Sequence, residues 1–313
     1  MGAHSFVVVG GNNVDINATA ATALVYGDSN PGGIHTGLGG VGRNIAENLT
    51  RLGQQVSLIT AFGDDEYASL AIRQAERLGM DLSHAIRAEH AASCVYVCIN
   101  EPNGEMAVAV NDMALCERIT PAYLAERLPV LNAADAIIVD ANIPEESIDF
   151  IVQRCTPPII ADAVAAKKAA RLHRSLPHLH ALKANQIEIE LLTGTTVTHE
   201  YDLHAAARTL HQMGVDTVLI TLSSRGAFIS EGGAQFFDRP VPQRVVNTTG
   251  CGDAFTAAAA LAMVEQRSAR EVLGMGLAGA AICAMSKHAV SDQMSYALLS
   301  ETLRVALQQE AKP

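Results

Sequence analysis

Basic clusters are missing from this sequence. Its 22 Lys and Arg are outnumbered by 33 Asp and Glu, for a formal net charge of −11 at pH 7. A groove for a polyanion needs clustered cations, so a nucleic-acid partner is excluded. A small anion stays admissible, because backbone N–H groups can hold one on an acidic protein. No CxxC pair occurs among the cysteines at 94, 98, 116, 155, 251 and 283, and the eleven histidines are scattered. That pattern argues against zinc and suits reduced thiols in a cytoplasmic protein. No segment reaches the ~18 uncharged apolar residues of a membrane span. The opening MGAHSFVVVG lacks a basic stretch ahead of a long apolar one, so it reads as a first strand and not as a signal peptide. Tryptophan is absent and aromatics are few, while Ala and Gly abound, which suits helices packed closely on a sheet.

What is present is an α/β rhythm. Apolar residues make up 49% of the 313, enough for a sizeable core. FVVVG (6–10) is a buried strand. A glycine-rich loop follows, then a helix with apolar residues at 45, 49 and 52, a strand over 55–63 and a helix over 66–79. SCVYVCI (93–99) and EMAVAV (105–110) are joined by a turn at hairpin spacing. With strands from 12–19 and 33–38 they predict a small separate sheet that could cover a site. The rhythm then resumes. It predicts a helix over 120–128 capped by Thr120 with Pro121 in its first turn, and strands over 135–142, 157–164 and 180–185. A helix over 186–193 closes at Gly194, and 203–213 is another helix. DTVLITLSSRGAFIS is strand, turn, strand. Helices over 254–264, 269–286 and 295–309 end the chain. The reading is one domain, 1–313, with a flap formed by segments about 12–38 and 92–111.

NTTGCGDAF (247–255) concentrates the chemistry. Gly250 and Gly252 let the backbone bend towards a ligand. The first-turn amides of the following helix lack intrahelical partners and, with the dipole, form an anion site. Asp253 lies in that turn. It is either a residue that complements the dipole or a general base beside an oxyanion hole for a transferring phosphoryl group. One carboxylate suffices for that work, and its pKa is expected to stay low. Neither standard nucleotide loop occurs: there is no GxxxxGK[ST], and no strand–GxGxxG–helix unit. GLGGVG (37–42) opens a helix but follows a loop. The missing unit argues against a nicotinamide dehydrogenase.

GGVGRNIAENLTRLG and NTTGCGDAF together resemble the ribokinase-like family of sugar and nucleoside kinases, over nearly the whole chain. YGDSNPGGIHTGLGGVGRNIAENL (26–49) and VNDM (110–113) resemble a nucleoside-kinase branch of it. The resemblance implies a three-layer α/β/α sandwich around a sheet of roughly nine strands, with a small β lid. It implies ATP and Mg²⁺ as cofactors, a sugar or nucleoside as acceptor, and pairing through the lid into a homodimer. Asp253 matches the family's catalytic base; Gly250, Cys251 and Gly252 match its anion hole, Cys251 through its amide. Asn13 and Asp15 match the early N-x-D pattern that binds sugar hydroxyls, and Gly39, Gly40 and Asn44 match the sugar-binding GG…N motif. Arg43 stays open between a ligand-facing residue and a helix-surface one. Asn185 and Glu188 match the NxxE motif that organises Mg²⁺ through water, and the same pair also reads as a capping box. Thr221, Ser223 and Gly226 match the nucleotide-binding strand–turn segment.

Departures from the pattern are Asn247 for Asp, Ser223 for Gly, and Ala163 and Ala184 for Pro. The Asp replaced by Asn247 helps bind a monovalent cation in ribokinase-type members, so that dependence stays open. On the hairpin, Ser93, Tyr96, Asn111 and Asp112 are candidates to reach the acceptor. Two alternatives remain: another acceptor such as ribose, adenosine or fructose, and a non-catalytic binding protein with a kinase fold.

Overall fold

The computed structural model describes residues 2–308. β1 (Ser5–Val9) is buried along nearly its whole length, which a run of β-branched residues tolerates because both faces of a central parallel strand are covered. β2 (Asn13–Ala20) and β3 (Gly32–Gly39) leave the main sheet as an antiparallel pair. α1 (Val41–Arg51) returns the chain to β4 (Gln55–Ile59) and β5 (Ala61–Phe62). α2 (Glu66–Leu78) starts where Asp65 accepts the Ala68 N–H and stops at Gly79. β6 (Ile86–Arg87) pairs with β5, and β7 (Val95–Asn100) and β8 (Met106–Asp112) form the expected hairpin.

Beyond the hairpin come α3 (Pro121–Ala125) and α4 (Leu128–Ala133), then β9 (Ala136–Asp140), α5 (Glu145–Arg154), β10 (Ile159–Asp162) and α6 (Ala166–Ala169). β11 (Ala181–Asn185), α7 (Gln186–Thr193), α8 (Glu200–Gln212), β12 (Thr217–Thr221), β13 (Ala227–Glu231) and β14 (Ala234–Asp238) follow. The chain closes with α9 (Cys251–Val264), α10 (Ala269–Ala284) and α11 (Tyr296–Gln308).

The main sheet has eight strands in the order β14-β13-β12-β11-β10-β9-β1-β4, parallel from β12 to β4. Alternation along each strand feeds two cores. Phe6 and Val8 face α1, α2, α9, α10 and α11, while Val7 and Val9 face the layer of α3 to α8. This is the three-layer sandwich. β3-β2-β7-β8 form the small second sheet.

Three differences from the sequence reading have local causes. The helix expected over 120–128 breaks after α3, because the Pro129 ring clashes with the carbonyl four residues back. Thr120 nevertheless caps α3 as read, accepting the Tyr123 N–H at 3.2 Å. β14 was not anticipated. Gly232 and Gly233, both with positive φ, form a two-residue hairpin turn that returns the chain alongside β13. The main sheet has eight strands and not nine, since the position beyond β4 is reduced to a single bridge, Ser57–Asp81.

Candidate active site

The parallel strands end in polar residues. Register sets Asp140 beside Asp162, Asp162 beside Lys183, and Asn185 beside Thr221. Ligands of open α/β sheets bind at these carboxyl ends. Asp140, Asp162 and Lys183 are buried, so each needs a partner. Asp140 accepts the N–H groups of Gly11 at 2.8 Å, Gly42 at 2.6 Å and Asn142 at 2.9 Å, tying the turn after β1 to the start of α1. Burial still lifts its carboxyl above the ordinary value. Asp162 accepts Thr256 Oγ1 at 2.8 Å and the Val164 N–H at 3.0 Å, and pairs with Lys183 Nζ at 3.2 Å. Burial alone would depress the Lys183 ammonium, but Asp162, Glu188 and Asp253 outweigh it and raise it. Lys183 is therefore a fixed buried cation.

Asp253 lies in the first turn of α9, buried, and accepts Asn44 Nδ2 at 2.8 Å. Its carboxyl is pushed up to about 7 by burial and then by Asp162, with Lys183 and Asn44 pulling the other way. The low pKa expected from the sequence is thus corrected, because the chain alone does not reveal that Asp140 and Asp162 surround the same pocket. Gly250 enters the helix at φ +80°, and a Cβ there would lie 1.9 Å from the Ala289 carbonyl oxygen. Only glycine fits. Of the first-turn amides, that of Cys251 points at the Thr248 carbonyl at 3.3 Å and that of Ala254 at the Gly250 carbonyl at 2.9 Å. Among the described residues, the amides of Gly252 and Asp253 have no such backbone partner. Lys183 Nζ reaches over Gly252, 3.0 Å from where its Cβ would be. The Cys251 thiol lies against Cys283 and donates to the Asn247 carbonyl at 3.8 Å, so it turns away from the amides.

On the small sheet, Asn13 Nδ2 donates to Asp15 Oδ1 at 2.6 Å, and Asn13 pairs in register with Gly39. The Asp15 carboxylate covers Gly39 so closely that a Cβ there would meet it at 2.1 Å. Burial raises the Asp15 carboxyl, with Asn13 and Arg43 opposing. Gly40 is the N-cap of α1, and Asn44 follows in its first turn. Arg43 is buried, which removes the helix-surface alternative. It pairs with Glu47 and donates to Asn44 Oδ1 at 3.1 Å.

Asn185 and Glu188 form the capping box: Asn185 Oδ1 accepts the Glu188 N–H at 3.0 Å, and Glu188 Oε2 accepts the Asn185 N–H at 2.7 Å. Glu188 Oε1 also accepts Asn185 Nδ2 at 2.6 Å. Burial raises the Glu188 carboxyl, against the pull of Lys183. Thr221 ends β12. Ser223, at φ +55°, starts the turn that Gly226 closes into β13. That is a left-handed position, which glycine adopts more readily than serine.

Asn247 is a neutral amide whose Oδ1 accepts the Thr249 N–H at 3.0 Å. Two of the hairpin candidates stand apart from the row that carries Asp15. Ser93 is engaged by Asp65 through its N–H at 2.7 Å and its hydroxyl at 2.6 Å. Asp112 pairs with Val95, one position off the row in which Gly37, Asp15, Tyr96 and Asn111 line up across the four strands. Residues directly opposite share a face, so Tyr96 and Asn111 stand on Asp15's side.

Asp140, Asp162, Lys183 and Thr256 had no assigned role in the sequence reading. Their signal was present, since each of the first three is a charged residue at or near the end of an apolar strand. Among the described residues, no three His, Cys, Asp or Glu side chains form a metal cage.

The model of the pfkB family of carbohydrate kinases matches residues 3–294. Pseudouridine kinase of Escherichia coli is 33% identical over 261 residues, 83% of each chain. An uncharacterized sugar kinase of the same organism is 32% identical over 278 residues, 88% of this chain and 77% of that one. The structure of Arabidopsis thaliana ribokinase complexed with ribose and ATP superposes with a TM-score of 0.85 at 24% identity, over 97% of this chain and 99% of that one. A buried carboxylate at an amide-lined helix N-terminus, above the ends of a parallel sheet, thus occurs in a chain that belongs to the pfkB family of carbohydrate kinases, with the ribokinase-like α/β/α fold.

Proposed function

We propose that this ATP-dependent kinase transfers the γ-phosphoryl group of ATP to the 5′-hydroxyl of pseudouridine, giving pseudouridine 5′-phosphate and ADP. The reaction rests above all on one observation, Asp253 buried in the first turn of α9 beside amides of Gly252 and Asp253 that, among the described residues, have no backbone partner; that burial pushes its carboxyl up to about 7. A base tuned near neutrality both takes and releases a proton readily. Asp253 accepts the hydroxyl proton as the new O–P bond forms and the bond to ADP breaks. The loop amides, shaped by Gly250, Cys251 and Gly252, and the Lys183 ammonium stabilise charge on the transferring group.

The acceptor assignment is supported by the likeness to E. coli pseudouridine kinase and by the stretches 26–49 and 110–113. Asn13, Asp15, Gly39, Gly40 and Asn44 hold the ribose: Asp15 accepts hydroxyl hydrogen bonds, and Asn44 keeps one amide hydrogen beyond the one given to Asp253. Tyr96 and Asn111, on the same row, meet the base. The small sheet acts as the lid that excludes water.

Asn185, Thr221, Ser223 and Gly226 receive the nucleotide. Mg²⁺, when bound, would supply positive charge against the nucleotide phosphates. The residues present fit an ion held through water: Glu188 is a buried carboxylate, each oxygen of which keeps a lone pair beyond its bond to Asn185. The outer row Ile34–Ala18–Ile99–Val108 of the lid sheet, with Ile34 and Val108 exposed, is the surface we assign to homodimer contact. No helix among the described residues is long and apolar enough to cross a membrane, and a cytoplasmic location is part of this proposal.

The test is a coupled ADP-release assay with Mg²⁺ on pseudouridine, uridine, adenosine, ribose and fructose. The expected result is the highest kcat/KM with pseudouridine. A preference for another acceptor overturns the substrate and keeps the phosphotransferase, whereas no ADP release with any of them counts against both.

A further inference from the structure

α1 carries an ionic ladder on one of its faces, buried at Arg43 and Glu47 and open to solvent at Asp292. Asp292 pairs with Arg51 at 2.7 Å, Arg51 pairs with Glu47 at 2.9 Å, and Glu47 pairs with Arg43. The side chains of Arg43 and Glu47 are only 6% and 2% exposed, so this is not a solvated surface pair. Burying two such charges is costly and is weak evidence for stability. The ladder ends on Asn44: Arg43 Nη1 donates to Asn44 Oδ1 at 3.1 Å, and Asn44 Nδ2 donates to Asp253 Oδ2 at 2.8 Å.

The chemistry of the donors sets the direction. A guanidinium has donors only, so the amide end that faces Arg43 must be the oxygen. The nitrogen is then compelled to face Asp253. A free amide could rotate by a half-turn and present its oxygen to the carboxylate, which would repel the anion and leave one lone pair unmatched.

We propose that Arg43 is a positioning residue: by pinning the oxygen of Asn44 it holds the amide nitrogen on Asp253, and so fixes the orientation of the carboxylate that takes the hydroxyl proton. Glu47 and Arg51 hold Arg43 in that place. This rests on the phosphotransfer reading of Asp253. Asn44 is one of several influences on that carboxylate: Asp140 from β9 and Asp162 from β10 press its pKa up, Lys183 from β11 presses it down, and the thiol pair Cys251–Cys283 stands beside it. Asn44 is the influence from α1, and it favours the anion. Loss of the pin therefore moves the Asp253 titration upwards.

The experiment compares the native chain with Arg43→Met, and with Arg43→Met/Glu47→Met, which removes both buried charges and keeps the volume. Arg43→Lys is the conservative variant; its ammonium is also a pure donor. The first readout is the pH profile of kcat with the best acceptor found. The second is the carboxyl ¹³C titration of Asp253 in the free protein, which needs no turnover. Expected results are a kcat lower by roughly 10-fold or more with the KM for ATP unchanged, an acid limb moved to higher pH, an Asp253 titration moved the same way, and partial recovery in Arg43→Lys. An unmoved titration in the folded double variant, with kcat retained, overturns the positioning role and leaves the kinase assignment standing. A moved titration in a protein that phosphorylates no acceptor supports the pin and counts against the phosphotransfer reading.

Discussion

The two sheets of this molecule treat their polar residues in opposite ways. At the end of the main sheet, Asp140, Asp162, Lys183 and Asp253 are buried together, each held by named partners within 3.2 Å. On the small sheet, β8 alternates exposed and half-buried residues from Met106 to Val110, and Ile34, Met106, Val108 and Val110 are exposed. One region is finished before any ligand arrives. The other leaves a set of apolar side chains exposed. Under the proposed function the difference is a division of labour: charge preorganised by burial and hydrogen bonds for the chemical step, and the small sheet left to meet the acceptor.

That contrast is broken most sharply by removing the carboxylate. Asp253→Ala is expected to fold and to bind both ligands, yet lose roughly 10²-fold or more in turnover; retained turnover in stopped-time ADP assays rejects the base assignment. Next is Gly250→Ala, whose Cβ meets the Ala289 carbonyl in a backbone region that disfavours side chains. It should lower both kcat and the thermal midpoint, and an unchanged Tm would show that the loop yields. Lys183→Met strips the fixed cation from between Asp162 and Glu188 and should cost roughly 10²-fold in kcat, read from initial rates at saturating ATP.

The lid side gives smaller effects. Tyr96→Phe and Asn111→Ala should raise the acceptor KM several-fold, on the order of 1 kcal/mol each, with the ATP KM unmoved. Equal changes in both constants would take these two residues out of the acceptor site.

A pH experiment sharpens the same comparison. An ordinary Asp titrates near 3.9, and Asp253 does so at about 7 in the folded chain. The folded state therefore holds this proton to higher pH than the unfolded one. Its contribution to stability is fully present below about pH 4, declines as pH rises, and is lost above about pH 7. Asp253→Asn should thus be more stable than the native chain at pH 8 by an amount on the order of a few kcal/mol, and the difference should shrink towards pH 4. Equal denaturant midpoints at both pH values would contradict the burial argument.

Much of this was legible along the chain. The buried run of β1, the hairpin of β7 and β8, the cap at Thr120 and the stop at Gly194 all follow from local periodicity and end signals. So does the glycine-flexed entry to α9. The Gly232–Gly233 turn is an equally local signal. Tyr96 and Asn111 could be named but not aimed, because choosing between neighbours on a strand needs the register, and register is a property of two strands.

Local pattern thus determined the elements, the order in which they alternate, and the residue types at the two glycine motifs, since propensity, capping and period act within a few residues. The acidity of Asp253, the burial of Arg43 and the alignment of Asp140, Asp162 and Lys183 were decided only when the chain folded. Asn44 and Asp253 are 209 residues apart in sequence and 2.8 Å apart in space. Desolvation and Coulomb interaction depend on distance and surroundings, and neither is encoded at any single position.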